Sequence, residues 1–349
     1  MDKTRLRTGY KTVTLGIRHG AAAVKTRAMY GRRLKAEDFK TLRSLRNVPD
    51  AAAFLKAHPA WGPALETISP AEAHRGPLEG LLKNAIIDEY GRIVRFVATE
   101  NHPLSSYPYI RYEMDQIMGF LRLLRTGRPR EFHYYEPAGG RGKVDFDALG
   151  SCTDYKSFLD VIRNSHFYET LARIPTQDDG MPDYTATDLA VHNRFYESLI
   201  DMAKKDYGGR DREAFTESLL LQTDMINITR AFRLRGFFPR GYDASGYMIP
   251  AYGYITPTFL KSLAAAPDDA TAYTLLKASR RGRVFAENNF SIIESYYFKA
   301  MYDFNKRRYR EGAPSAYTPF AYLYLKELEL RQLINTIECI RYGRQFHNS

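Results

Sequence analysis

Cysteine is scarce. Cys152 and Cys339 are the only two, and they lie 187 positions apart. A disulfide framework or a structural zinc site needs more ligands at closer spacing. Scarce, distant cysteines fit a reducing, cytosolic compartment. Long apolar runs are missing as well. The longest charge-free stretch, Ala244 to Leu260, contains Gly246, Pro250, Gly253 and Pro257, so it reads as a packed turn rather than a membrane span. Met1 to Gly20 carries Lys3, Arg5, Arg7, Lys11 and Arg18 and has no apolar core of the kind a signal peptide needs. Strand signals are nearly absent. Tyr247 to Thr258 alternates weakly, but its two prolines demote it.

Catalytic signatures are missing too. The histidines, at 19, 58, 74, 102, 133, 166, 192 and 347, include no pair three or four apart that could grip zinc from one helix. Gly139-Gly-Arg-Gly-Lys143 resembles a phosphate loop only superficially. It lacks the first glycine at the required spacing and has Val144 where Ser or Thr would bind magnesium, so it reads as a linker. No nucleophile elbow or dinucleotide fingerprint occurs. Asn227-Ile-Thr and Asn289-Phe-Ser match the glycosylation pattern but fall in predicted helices and are read as incidental. The expectation is therefore no catalytic residue, no metal and no cofactor.

What is present is a soluble-protein composition with a basic bias. The 349 residues are 44% apolar and 26% charged, enough for two or three units with sizeable cores. Lys and Arg outnumber Asp and Glu by 51 to 40, and the resulting +11 points to an acidic partner.

The chain also repeats itself. Tyr112 to Gly127, Leu221 to Gly236 and Leu328 to Gly343 close alike, with basic residues and then glycine, and the glycines are 109 and 107 residues apart. Apolar residues recur at helical spacing in these segments: Met114, Ile117, Met118, Leu121 and Leu124 in the first, Leu330, Leu333, Ile334, Ile337 and Ile340 in the third. Cations suit the negative end of a helix dipole, and glycine suits the left-handed residue after it. The openings near Leu45, Leu149 and Leu263 also match, with Asp50, Asp154 and Asp268 as N-cap candidates. Each unit has a second helical stretch, Leu78 to Val97, Leu189 to Tyr207 and Phe290 to Tyr309. A period near 107 residues is too long for a solenoid. It predicts an all-α protein with a basic N-terminal extension, residues 1–20, and three helical repeats at 21–136, 144–242 and 250–349.

Asp115 and Asp224 hold equivalent places in two repeats, where the third has Arg331. Repeat-equivalent positions play repeat-equivalent structural roles, so pairing with an arginine in the same or next helix is expected rather than catalysis. Arginine clusters offer candidate interface residues: near the repeat ends Arg122, Arg125 and Arg128, Arg230, Arg233 and Arg235, and Arg341, and earlier in the third repeat Arg280 and Arg281. Arg32-Arg33 and Lys306-Arg307-Arg308 are further clusters. Aromatics beside the last, Tyr296-Tyr297-Phe298 with Tyr302 and Phe304, are read as core at helical spacing rather than as a base-stacking platform.

Three segments resemble a known family. Ala22-Ala-Val-Lys-Thr-Arg-Ala-Met-Tyr-Gly-Arg-Arg-Leu-Lys-Ala-Glu-Asp-Phe39 is similar to the opening of the central-stalk subunit called C, or d, of V/A-type rotary ATPases. Asp224-Met-Ile-Asn-Ile-Thr-Arg230 resembles its Asp-x-x-Asn-hydrophobic segment. Tyr322 to Ile334 resembles its C-terminal helix, with Gln332 where the family more often has asparagine. The resemblance implies three similar helical subdomains in a pseudo-threefold, funnel-like arrangement. It implies a non-catalytic rotor subunit on the cytoplasmic face of a membrane, coupling the central shaft to the proteolipid rotor ring during ATP-linked proton or sodium transport. The residues alone leave other classes open: a helical adaptor binding nucleic acid or another acidic partner through its basic clusters, or a helical enzyme whose scattered histidines and carboxylates converge.

Overall fold

The computed structural model describes residues 20–97, 107–134, 144–235, 244–286, 292–311 and 315–343. They are helical, as the sequence predicts. Among the described residues there is no strand, only an isolated bridge between Thr176 and Pro182. The described residues fall into two compact units. One gathers residues 20–97 with those from Tyr302 onward, and the other gathers 107–134 and 144–301.

The first unit holds α1 (residues 20–31), α2 (Ala36–Ser44), α3 (Val48–Ala57), α4 (Arg75–Val97), the second half of α14 (Glu294–Arg310) and α15 (Thr318–Tyr342). Its axis is α15, which packs on α2, α3 and α4. From Thr318 to Lys326 every residue of α15 is buried, and from Leu330 to Ile340 burial narrows to one stripe. A helix apolar all round belongs at a centre. The polar groups caught there are satisfied by one another. Glu329 Oε1 accepts from Trp61 Nε1 (2.8 Å), from Lys326 Nζ (3.4 Å) and from the Leu34 amide (3.4 Å), while Lys326 Nζ lies 3.6 Å from the centre of the Trp61 ring. Tyr322 donates its hydroxyl to Glu89 at 2.5 Å. Burial pushes the Glu89 carboxyl up, with Lys326 and the Tyr322 hydrogen bond pulling the other way.

The second unit holds α5 (Tyr107–Arg125), α6 (Phe146–Leu149), α7 (Tyr155–Val161), α8 (Tyr168–Ala172), α9 (Tyr184–Asp206), α10 (Gly209–Leu234), α11 (Pro257–Ala264), α12 (Asp269–Ala278), α13 (Gly282–Phe285) and the start of α14. Here α10 packs on α9 and α11, and α9 also receives α5 and α8. Thus α5, which closes the first sequence repeat, lies in a different unit from α1 to α4.

The end signals are read partly right. Gly127 (φ +70°) and Gly343 (φ +58°) both adopt the left-handed conformation. After α5, the Arg128 amide reaches back to the Leu123 carbonyl at 2.9 Å, the closing bond of a Schellman turn. Gly236 lies outside the described residues, as do residues 1–19, the Gly139–Lys143 run and Asn289. Asp154 and Asp268 cap α7 and α12 through the amides of Ser157 and Thr271, both at 2.7 Å. Asp50 does not cap α3. Asn47 does, accepting from the Asp50 amide at 2.8 Å, because Val48-Pro49 opens the helix earlier and proline needs no amide partner there. Two helices also begin earlier than the apolar pattern shows: α4 at Arg75, and α9 at Tyr184 behind an Asp183 cap.

Candidate functional site

A dense polar construction in the second unit grows from one face of α10. Asp224, Asn227 and Arg230 recur every three residues and so project toward the same side. All three grip the segment that precedes α11. Asp224 is fully buried. Its carboxylate accepts from the amides of Gly253 and Tyr254 at 2.8 Å each and from that of Ile255 at 3.4 Å. The Arg281 guanidinium closes the arrangement with Nε at 3.0 Å and Nη2 at 2.8 Å. Asn227 makes a reciprocal pair with Ile249, donating to its carbonyl at 2.9 Å and accepting from its amide at 2.8 Å. Arg230 donates to the Tyr247 carbonyl at 3.2 Å and pairs with Asp188 at 2.8 Å. Burial pulls the Arg230 guanidinium down, and Asp188 opposes that.

This clasp gives Asp224 the arginine partner expected from sequence, but that partner is 57 residues downstream, at the start of α13, not in the same or next helix. Gly253 allows the approach. A Cβ there would stand 2.7 Å from Asp224 Oδ2 and 3.1 Å from Leu220 Cβ. Asn227 is fully buried and doubly bonded, so its acceptor sequence offers no glycosylation site in the fold.

The nine candidate arginines divide into two groups. Arg230 and Arg281 are built into the clasp, and Arg235 pairs with Asp269 while lying over the Phe232 ring. Arg125 donates to the Pro182 carbonyl at 2.8 Å, which ties α5 to the turn before α9. Arg233 is exposed and pairs with Glu294. Arg122, Arg128, Arg280 and Arg341 are exposed. The first meets the Tyr184 hydroxyl at 3.4 Å, the second pairs with Glu131 at 3.5 Å, and the last lies over Tyr342. All except Arg341 belong to the second unit.

Sequence reasoning missed a polar cleft of about 580 Å³ between the 163–173 stretch and α9, lined by Arg163, His166, Arg173, Asn193, Arg194 and Glu197. Its arginines come from three separate places, the ends of α7 and α8 and the middle of α9, so no spacing in the sequence announces it. Arg163 and Arg173 are engaged with Asp160 and Glu169. The His166 ring meets the Ser198 hydroxyl at 3.1 Å. Among the described residues, no group of three His, Cys, Asp or Glu side chains could hold a metal ion. No described helix is long and apolar enough to cross a membrane. Both cysteines are free.

The family described as ATP synthase (C/AC39) subunit matches residues 22–347, nearly the whole chain. A comparison with curated proteins found no match.

Proposed function

Since this chain belongs to the ATP synthase (C/AC39) subunit family, and so is a subunit of a V/A-type rotary ATPase, we propose that it is the non-catalytic central-stalk subunit that joins the rotating shaft to the membrane rotor ring. Its partners in this reading are the proteolipid ring and the shaft subunits, and its place is the cytoplasmic face of the membrane. The observation that carries the reading is the family match over residues 22–347.

Torque transmission needs a body that does not yield, and the interior suits that demand. Packed helices have crystal-like density. The Asp224 clasp ties α10, the 249–255 segment and Arg281 through charged and reciprocal hydrogen bonds. The family-like segment Asp224 to Arg230 therefore has a mechanical role: it fixes a loop to a long helix. The body is proposed to comprise three related helical repeats in sequence, residues 21–136, 144–242 and 250–349, with exposed arginines, among them Arg122, Arg128 and Arg280, facing the ring.

The test is binding of the isolated chain to purified rotor ring across a salt series. Exposed charges are screened over about 8 Å at physiological ionic strength, so association should slow as salt rises, while apolar contacts hold the residence time. Changing Arg122, Arg128 and Arg280 together to Glu should weaken ring binding and leave the far-ultraviolet circular dichroism unchanged, because exposed substitutions cost little stability. A ring affinity that is flat in salt and untouched by the triple change would remove the basic residues from the docking surface.

A further inference from the structure

We propose that residues 20–35 and the second half of α14 form a surface that docks on an anionic phospholipid bilayer. The first support is where the charge lies. Residues 1–35 contain ten Lys and Arg and one Asp, a net charge of +9 against +11 for the whole chain. The described part of that segment, residues 20–35, carries Lys25, Arg27, Arg32, Arg33 and Lys35 and no acid. Between Tyr302 and Arg310, α14 adds Lys306, Arg307, Arg308 and Arg310 against Asp303, and Glu311 just beyond the helix pairs with Arg308 at 3.2 Å.

The second support is that the fold joins these two stretches. The Tyr30 and Tyr309 rings meet at 4.9 Å between centroids. Arg33 lies 4.2 Å over Tyr30. Burial raises both tyrosines, Tyr309 to about 12. The positive charges that pull them back are Arg33 and Lys306 at Tyr30 and Arg27 and Arg33 at Tyr309. Cations from both helices therefore gather around one aromatic pair.

The third support is the pattern at the surface. Tyr302, Lys306 and Arg310 recur every four residues and make a stripe along α14, with the Lys306 ammonium bonded to the Tyr302 hydroxyl at 2.8 Å. Val24 and Ala28 on α1, with Arg32 just past its end, make a second row at the same four-residue spacing, exposed throughout, with Val24 at 66%. Cations spread along two helices, with a valine and a tyrosine among them, suit a planar field of headgroups better than a single carboxylate. Lys and Arg attract such a surface additively, and tyrosine settles at headgroup depth. This goes beyond the rotor reading, and vesicles contain no ATPase subunit, so failure here would leave that reading untouched.

The experiment is cosedimentation of the full chain with vesicles of phosphatidylcholine alone and of an equimolar mixture with phosphatidylserine. Binding is expected to the mixture, not to phosphatidylcholine alone, and to fall with salt. Each cation neutralised should weaken it roughly fivefold, so Arg32→Gln, Lys306→Gln and Arg310→Gln together should cost roughly a hundredfold. The same charge removed at Arg163, Arg173 and Arg194 should change binding less than about threefold, because those residues lie outside the surface. Arg32→Lys with Arg310→Lys should keep binding, since a diffuse field reads charge and not guanidinium geometry. Equal binding to both vesicles, equal losses from the two triples, or loss on the lysine changes would overturn the proposal. So would a surface triple that leaves vesicle binding intact but abolishes binding to rotor ring in neutral detergent, which would make the surface a protein contact.

Discussion

Asp224→Ala should loosen the second unit more than any exposed change. The carboxylate is fully buried and holds the Gly253, Tyr254 and Ile255 amides together with the Arg281 guanidinium, whose side chain is 11% exposed. Removing one partner of a buried ion pair costs about 3–5 kcal/mol, because the other charge is left without compensation. Three stranded amides add to that, each worth about 1–3 kcal/mol if water cannot reach it. Water entering the vacated space can satisfy those amides, which leaves the ion-pair cost of about 4 kcal/mol as the expected loss. At about 1.4 kcal/mol per factor of ten, that is roughly a thousandfold in local opening. The assay is native-state hydrogen exchange read by mass spectrometry over peptides covering residues 249–256 and 276–286. Their protection should fall by two to three orders of magnitude. In an Arg281→Met background the same change should cost less, since no buried cation is then abandoned. Exchange within about threefold of the parent would show that the clasp does not hold this segment.

The remaining predictions concern glycines and a half-buried acid. Gly282→Ala should cost roughly 1–3 kcal/mol or more in urea unfolding, because the new Cβ would lie 1.9 Å from the Lys277 carbonyl oxygen, whereas Gly246→Ala, with nothing within 4 Å, should change stability by less than about 0.5 kcal/mol. Glu89 has its carboxyl raised in the fold, chiefly by burial. Its protonated form is the one the fold favours. That contribution is fully present below the ordinary value of 4.5 and is lost as pH climbs through the raised one. Glu89→Gln, which can still accept from Tyr322, should therefore match the parent in acid and gain on it toward neutral pH. Urea midpoints measured across that range check this, and a gap that narrows as pH rises would refute it.

The helices were largely legible because their cores recur at three and four residues, as in Leu330, Leu333, Ile337 and Ile340. Asp154, Asp268, Gly127 and Gly343 announced helix ends because capping is local chemistry. Asp50 misled for the same reason: Asn47 three residues earlier is as good a cap, and Pro49 favours the earlier start. The clasp was half legible. Asp224 and Asn227 sit three apart, but the backbone they hold lies 22 to 31 residues further on. The Trp61–Glu329 bond joins residues 268 apart, and no periodicity reports a contact of that span. The assignment of α5 to a different unit from α1 to α4 was hidden as well, since a sequence repeat shows which segments are alike and not which ones pack together.

The first unit is assembled from both ends of the chain, and this sets an order of events during synthesis. About two hundred residues separate Val97 from Tyr302, and at about 5–20 residues per second a ribosome takes roughly 10–40 s to make them. Through that interval α1 to α4 have no α15 to pack on, and Trp61 has no Glu329. The second unit has no such wait, because its helices follow one another from α5 to α13. The nascent N-terminal quarter is thus exposed to chaperones and proteases until the last helix emerges. A chain stopped before Thr318 would lose the axis of its first unit, however much of the second had already folded.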